Sequence, residues 1–244
     1  MNKIYYPLND NIGSIQLVQS VGDDTGIVNA ARVSFGKRIE NIEDKDRKLI
    51  KYLLEHDHGT PFEHNSLTFL VKCPIFVARQ WMRHRIASFN EISGRYVEVK
   101  EEFYIPENFR KQSTDNRQAS IDEYIENIER YDPNSPKANQ SNQYGCFMHS
   151  PKALVREHYE ASFTLYQELL EAGVCREQAR AVLPLATYTE YYFTCNLRAL
   201  LHFIKLRDHD GAQWEIQQYA KILKEIAKNI FPETFKILEN GNKI

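Results

Sequence analysis

The stretch SLTFLVKCPIFVARQWMRHRIASFNEISGRY, residues 66–96, sets a fold-determining run beside a polar cluster that could carry chemistry. Residues 66–74 are rich in β-branched and apolar side chains until Pro74 closes the run, which reads as a strand. IFVARQWMRHR (75–85) is long and apolar enough to be the helix that follows. A polar cluster starts where that helix ends: Arg83, His84 and Arg85, then Asn90, Glu91, Ser93, Gly94 and Arg95. Whether it is a solvated helix end or a site for an anion depends on what the rest of the chain supplies.

Upstream, SIQLVQSV (14–21), set between Gly13 and Gly22, reads as a second strand, and DDTGIVNAARVSF (23–35) as a short helix. DKDRKLIKYLLEHDH (44–58) places Leu49, Ile50, Leu53 and Leu54 on one helical face. Thr60-Pro61-Phe62-Glu63 fits a helix start, with a capping hydroxyl, proline in the first position and glutamate three residues after the cap. Downstream, RYVEVKEEFYI (95–105) alternates as far as Pro106 and predicts a strand leaving the motif. Residues 106–143 are polar, with one candidate helix at SIDEYIENIERY (120–131), and read as an insertion or a cover beside the site. From Ser150 the pattern is helical nearly to the end: 150–173 with serine at its cap and glycine past its last turn, REQARAVL stopping before Pro184, then NLRALLHFIKL and GAQWEIQQYAKILKEIAKNIF. With no repeat and no linker, the expectation is a single α+β domain over residues 1–244. A small, mostly antiparallel sheet would pack against a long helical C-terminal half.

Composition limits the function. The 244 residues are 42% hydrophobic, enough to bury a core, and 31 Lys plus Arg stand against 33 Asp plus Glu, for a net charge of -2. No general attraction to nucleic acid or membrane follows, so any basic site is local. The N-terminus MNKIYYPLND has no signal-like apolar run, and the sequence nowhere reaches the roughly 18 consecutive apolar residues of a membrane span, so a cytoplasmic location is expected. Cys73, Cys146, Cys175 and Cys195 form no CxxC pair and no compact Cys/His spacing, which argues against a zinc site or disulfide framework. No metal is expected. Cys146 lies in a polar segment near His149, but no acid is placed to orient that histidine.

On a helix, Arg83, His84 and Arg85 lie about 100° apart and cannot share one direction. They would serve solvent, with the helix dipole favouring cations there, or more than one ligand. The loop that follows weighs towards ligands: Gly94 permits close backbone approach and Arg95 offers a planar fork suited to phosphate. Glu91 could equally pair with an arginine, and Ser93 could cap a turn; as a nucleophile Ser93 lacks the GxSxG elbow. In CNLRALLHF, Arg198 and His202 share a helix face, while Arg207 is about 180° away from Arg198, so the two arginines would serve different sites or different subunits. Taken alone, His202 is expected to be a hydrogen-bonded core histidine rather than a ligand.

Taken together these segments resemble the flavin-dependent thymidylate synthases. RHRIASFNEISGRY is similar to that family's Arg-His-Arg, seven or eight residues, Ser signature, with seven residues here between Arg85 and Ser93. AARVSFGK (30–37), HGTPFEH (58–64), ARAVLPL (179–185), NLRALLHFIKLR (196–207) and AQWEIQQYA (212–220) agree in order and kind. The resemblance implies a methyltransferase of nucleotide biosynthesis. It would convert dUMP to dTMP with methylenetetrahydrofolate as carbon donor and NADPH as reductant through FAD, in a homotetramer whose sites are shared between subunits and without a cysteine nucleophile. Carried over by position, Gln80, Arg83, Glu91, Ser93, Gly94, Arg95, Arg180 and Arg207 would bind the nucleotide. Ser34, Thr60, Glu63, Arg83, His84, Arg85, Ile86, Asn196, Arg198 and His202 would hold FAD. His58 matches a family histidine near flavin and folate, and Arg180 is the expected electrophilic activator of the uracil. A non-catalytic phosphate- or RNA-binding module is the alternative; it needs an exposed basic face with stacking aromatics, which near-neutral charge disfavours.

Overall fold

Leu67, Phe69, Val71 and Cys73 are buried while the residues between them are partly exposed, the period of two by which an extended chain buries one face. In the computed structural model, which describes residues 3–131 and 146–241, these residues belong to a central strand of a five-stranded sheet. All of its pairings are antiparallel, in the order β1 (Ile4–Tyr5), β2 (Ser14–Val21), β3 (Ser66–Pro74), β9 (Tyr188–Cys195) and β4 (Ser88–Glu91). β9 sits between β3 and β4, and its register sets Phe193 opposite both Phe69 and Phe89. The rings stack at centroid distances of 6.1 and 5.3 Å. Such cross-strand aromatic pairs fix register, because a slip by one residue would turn every ring to the other face.

Two compact units make up the chain: Met1–Ile92 with Tyr188–Ile244, and Ser93–Thr187. In the first, α3 (Ile75–Trp81), α6 (Leu197–Arg207) and α7 (Trp214–Ile230) cover the apolar face of the sheet. Trp81, wholly buried, meets Tyr191, Phe193, Phe203 and Tyr219 there. α1 (Asp24–Arg32), α2 (Asp44–Glu55) and α8 (Pro232–Asn240) pack on one another. The second unit holds α4 (Pro151–Glu171), α5 (Arg176–Ala179) and a 3-10 turn at Arg180–Val182. Its core is Phe163, Tyr166 and Ala179 with Phe103 and Val99 against them. It also carries two small antiparallel pairs, β5 (Arg110–Gln112) with β6 (Ser120–Tyr124), and β7 (Ile128–Tyr131) with β8 (Cys146–His149).

The α+β class and the antiparallel sheet are as the sequence led one to expect; several elements differ. The helix after Pro74 stops at Trp81, so Arg83, His84 and Arg85 lie beyond its end and are freed from helical spacing. The strand expected at 95–105 is a turn at 94–97 followed by irregular chain, with one isolated bridge from Phe103 to Thr187. The strand of the motif lies earlier, at Ser88–Glu91, where β9 offers an edge to pair with. Residues 120–131 form β6 and β7 rather than a helix: no apolar partner face is present for an amphipathic helix, since β6 is exposed throughout, and cross-strand pairing wins. Residues 132–143 of the expected cover lie outside the described residues, as does the side chain of Cys146.

Adjacent aspartates tie the two ends of the first unit together. Asp23 caps its own helix by accepting from Gly26 N at 3.0 Å. Asp24 turns away and caps α8, which has no cap of its own: it accepts from Glu233 N at 2.8 Å, Thr234 N at 3.1 Å and the Thr234 hydroxyl at 2.6 Å. Burial raises the Asp24 carboxyl above its usual range, so desolvation offsets part of what these bonds contribute. Asp24→Ala, which strands two backbone donors and a buried hydroxyl, is expected to lower unfolding free energy by about 2–4 kcal/mol, read from urea denaturation.

Candidate active site

The 3-10 turn at Thr60–Glu63 follows Gly59, and it is Gly59, not Thr60, that stands at the cap; no side chain caps the turn, and Pro61 supplies the fixed φ at its start. Glu63 is therefore not half of a capping box. Its carboxylate pairs with the Arg198 guanidinium instead. Gly59 lies directly beneath that guanidinium, and any Cβ there would collide with it. The close approach lets His58, Gly59 and Arg198 line two cavities. One, of about 540 Å³, is completed by Ser34, Thr60 and Pro61, and the other, of about 660 Å³, by Phe62, Leu201, His202 and Lys205. Six of the residues expected to form the cofactor and catalytic site, Ser34, His58, Thr60, Glu63, Arg198 and His202, are thus brought together. His202 is an exposed wall of the cavity and not a core histidine. The Asn196 side chain caps α6 by accepting from Ala199 N at 2.9 Å, a structural use of a residue expected to bind cofactor. Asn65, which the sequence did not single out, accepts from Leu197 N at 2.6 Å and seats the start of the same helix.

On the other side of α6, Arg207 reaches α3. Its Nε donates to His84 Nε2 at 3.0 Å and its Nη2 to the Gln80 carbonyl at 3.3 Å. That Arg198 and Arg207 serve opposite faces of one helix is the outcome the spacing led to. Accepting at Nε2 places the His84 proton on Nδ1 and keeps the ring neutral. Burial, then the charges of Arg207 and His202, push the His84 imidazolium down to about 4. Arg207 is itself lowered, by burial and by Arg83. Glu91, at the end of β4, accepts from the Thr189 hydroxyl at 2.6 Å. Arg83, Arg85 and Ile86 are exposed and are not among the residues that line the two cavities.

In the second unit the loop after β4 is closed by Ser93. Its carbonyl accepts from Tyr96 N and Val97 N, and its hydroxyl from Arg95 N at 3.3 Å, so the hydroxyl is used locally as a turn former. Arg180 leads the 3-10 turn beside this loop: a methyl added to Gly94 would come within 3.3 Å of Arg180 Cδ. Arg95 pairs with Glu177 at 3.2 Å across exposed surface. Ser93, Gly94, Arg95 and Arg180 are thereby neighbours. Burial pushes the Cys73 and Cys195 thiols up to about 12, where the nucleophilic thiolate is scarce, whereas Cys175 is exposed.

The chain is similar to known proteins over most of its length. The family described as thymidylate synthase complementing protein matches residues 16–233. A flavin-dependent thymidylate synthase of Thermosipho africanus is 48% identical over 224 residues, covering 92% of this chain and 90% of that protein. One from Thermus thermophilus is 45% identical over 227 residues, covering 93% and 76%. Among solved structures, a UMP/dUMP methylase, PolB from Streptomyces cacaoi, bound with 5-Br UMP, is 34% identical with a TM-score of 0.76, covering 100% of this chain and 97% of its own. The relatives are named as thymidylate synthases and the solved neighbour as a UMP/dUMP methylase, so the chain is an enzyme of this kind. The chain belongs to the flavin-dependent thymidylate synthase family.

The neutral His84 makes a prediction about pH. Its folded pKa lies below the unfolded value of roughly 6.5, so between about 4 and that value the unfolded chain binds the extra proton. Stability from this group is complete above the unfolded value and is lost as pH falls towards 4. His84→Gln, which retains an acceptor for Arg207 and does not titrate, is expected to lose less stability than wild type between pH 7 and pH 5 in urea unfolding.

Proposed function

We propose that this protein is the enzyme its family name describes, a flavin-dependent thymidylate synthase that methylates dUMP to dTMP. Methylenetetrahydrofolate would supply the carbon and NADPH the reducing equivalents. The observation that carries the reading is the cavity pair walled by His58, Gly59, Arg198 and His202. The glycine leaves room for a guanidinium over the backbone, and the donors Thr60, Ser34 and Arg198 suit the diphosphate of FAD. We assign to the cofactor Ser34, Thr60, Glu63, Arg198 and His202, with Arg83, His84, Arg85, Ile86 and Asn196 completing the set. His58 lies where both cavities meet and is placed near flavin and folate. When bound, FAD supplies the hydride chemistry between reductant and transferred carbon.

The chain's own residues do the rest. Gln80, Arg83, Glu91, Ser93, Gly94, Arg95, Arg180 and Arg207 are assigned to the nucleotide, with arginines binding phosphate through charge-assisted bonds. A guanidinium donating to a uracil carbonyl draws electron density from the ring and makes it reactive without a covalent thiol adduct; Arg180 is given that role. The exposure of Arg83, Arg85 and Ile86 away from the cavities supports sites completed by another copy, in a homotetramer. That the family match runs from the first unit through the second and back supports one functional domain. No helix among the described residues is long and apolar enough to cross a membrane, in keeping with a cytoplasmic enzyme.

Purified protein with FAD, NADPH, dUMP and methylenetetrahydrofolate is expected to form dTMP, and omission of any one to abolish it. Product appearing without FAD would overturn the flavin route. Arg180→Ala is expected to lower kcat by about 10²–10³, as removal of a charge-stabilising donor does, with FAD content unchanged; full turnover would remove Arg180 from the activating role.

A further inference from the structure

Gln80 is held at both ends. Its carbonyl accepts from Arg207, and its side-chain Nε2 donates to Gln213 Oε1, while Gln213 Nε2 in turn donates to Glu215 Oε2 at 2.9 Å. Gln213 is the cap residue of α7 and Glu215 lies buried in that helix's first turn. A glutamine amide can point either way, but a carboxylate only accepts. Glu215 therefore requires Gln213 to face it with nitrogen. Gln213 must then meet Gln80 with oxygen, and Gln80 must meet Gln213 with nitrogen. What is left of the Gln80 amide, its Oε1, has no partner among the described residues and is an acceptor.

We infer that Gln213 and Glu215 are positioning residues that fix the polarity of the Gln80 amide, so that Gln80 offers an acceptor oxygen to a hydrogen-bond donor of the nucleotide. This rests on the reading of Gln80 as a nucleotide contact and adds what that contact selects. On dUMP the donors are the sugar hydroxyl and the imide N3–H, and an acceptor held by a relay discriminates strongly against a ligand lacking the matching donor, because a bound acceptor left without a partner is costly. The chemistry differs from the arginine contacts, which recognise negative charge and would accept many phosphates.

The test uses the FAD-loaded protein and titration with dUMP followed by flavin absorbance. Gln213→Met keeps the side-chain volume and removes both ends of the relay. It is expected to weaken dUMP about tenfold, to raise KM more than it lowers kcat, and to leave FAD content as in wild type. The exchanged pair, Gln213→Glu with Glu215→Gln, preserves the polarity, since the new carboxylate accepts from both glutamines, and is expected to return affinity to within about threefold. Wild-type affinity in Gln213→Met overturns the inference, as does an exchanged pair that holds FAD yet remains tenfold weak. A ligand-side arm needs no variant. Wild type should bind either 2′,3′-dideoxyuridine monophosphate or N3-methyl-dUMP at least tenfold more weakly than dUMP, the loss naming the donor; equal binding of both overturns the inference. Wild type that fails to bind dUMP at all sinks the nucleotide reading itself.

Discussion

The packing of Trp81 is the constraint on which the first unit depends. Its indole ends α3 and meets rings of β9, α6 and α7 at centroid distances from 4.7 to 5.9 Å, so a single side chain sets one helix against the sheet and two others. The indole Nε1 is buried without a hydrogen-bond partner among the described residues. An unmade bond of that kind costs roughly 1–3 kcal/mol, whereas emptying a site of this size costs roughly 3–5, so the apolar packing outweighs the lost bond. The surrounding rings add edge-to-face contacts that favour this one arrangement.

The placement of the Arg-His-Arg run follows from that anchor. With the helix stopped at Trp81, Met82 closes the last turn and the next three residues take separate directions. His84 turns inward, its ring 4.7 Å from Phe203 and 5.9 Å from His202, where Arg207 can reach it; Arg83 and Arg85 remain outside. β4 then adds to the free edge of β9 and carries Glu91 to Thr189. Displacing Trp81 would shift the motif and the edge strand together.

Much of this was legible because it is local. The apolar-rich runs at 14–21 and 66–74 with their glycine and proline bounds, the proline and glycine bounds of α4 and the i, i+4 pairing of Arg198 with His202 each need only neighbouring residues, and each appears in the structure. What escaped depends on partners far away in sequence. TYTEYYFTC passed unmarked although it forms the strand that joins β3 to β4, because a run of aromatic and β-branched residues acquires its place only through both neighbours. Glu63 carried every sign of a capping box and instead meets an arginine 135 positions away. Gln213 was visible within AQWEIQQYA as helix pattern, but its tie to Gln80 spans 133 positions and leaves no periodic trace.

The electrostatics of the Arg207 neighbourhood lead one step further. His84 is kept neutral by burial and by Arg207, so its ring adds no charge at ordinary pH and acts as an acceptor that aims the guanidinium. Arg207 is lowered chiefly by burial and then by the charge of Arg83, so the two cations repel one another. Guanidinium groups do not escape such conflict by losing a proton, since they remain charged across the accessible pH range. The strain is relieved by an anion, and a dianion relieves it more than a monoanion does. On the proposed assignment of Arg83 and Arg207 to the nucleotide, phosphate would offset repulsion already present in the folded chain, while the oriented amide of Gln80, carrying no charge, would decide which phosphate-bearing ligand is kept.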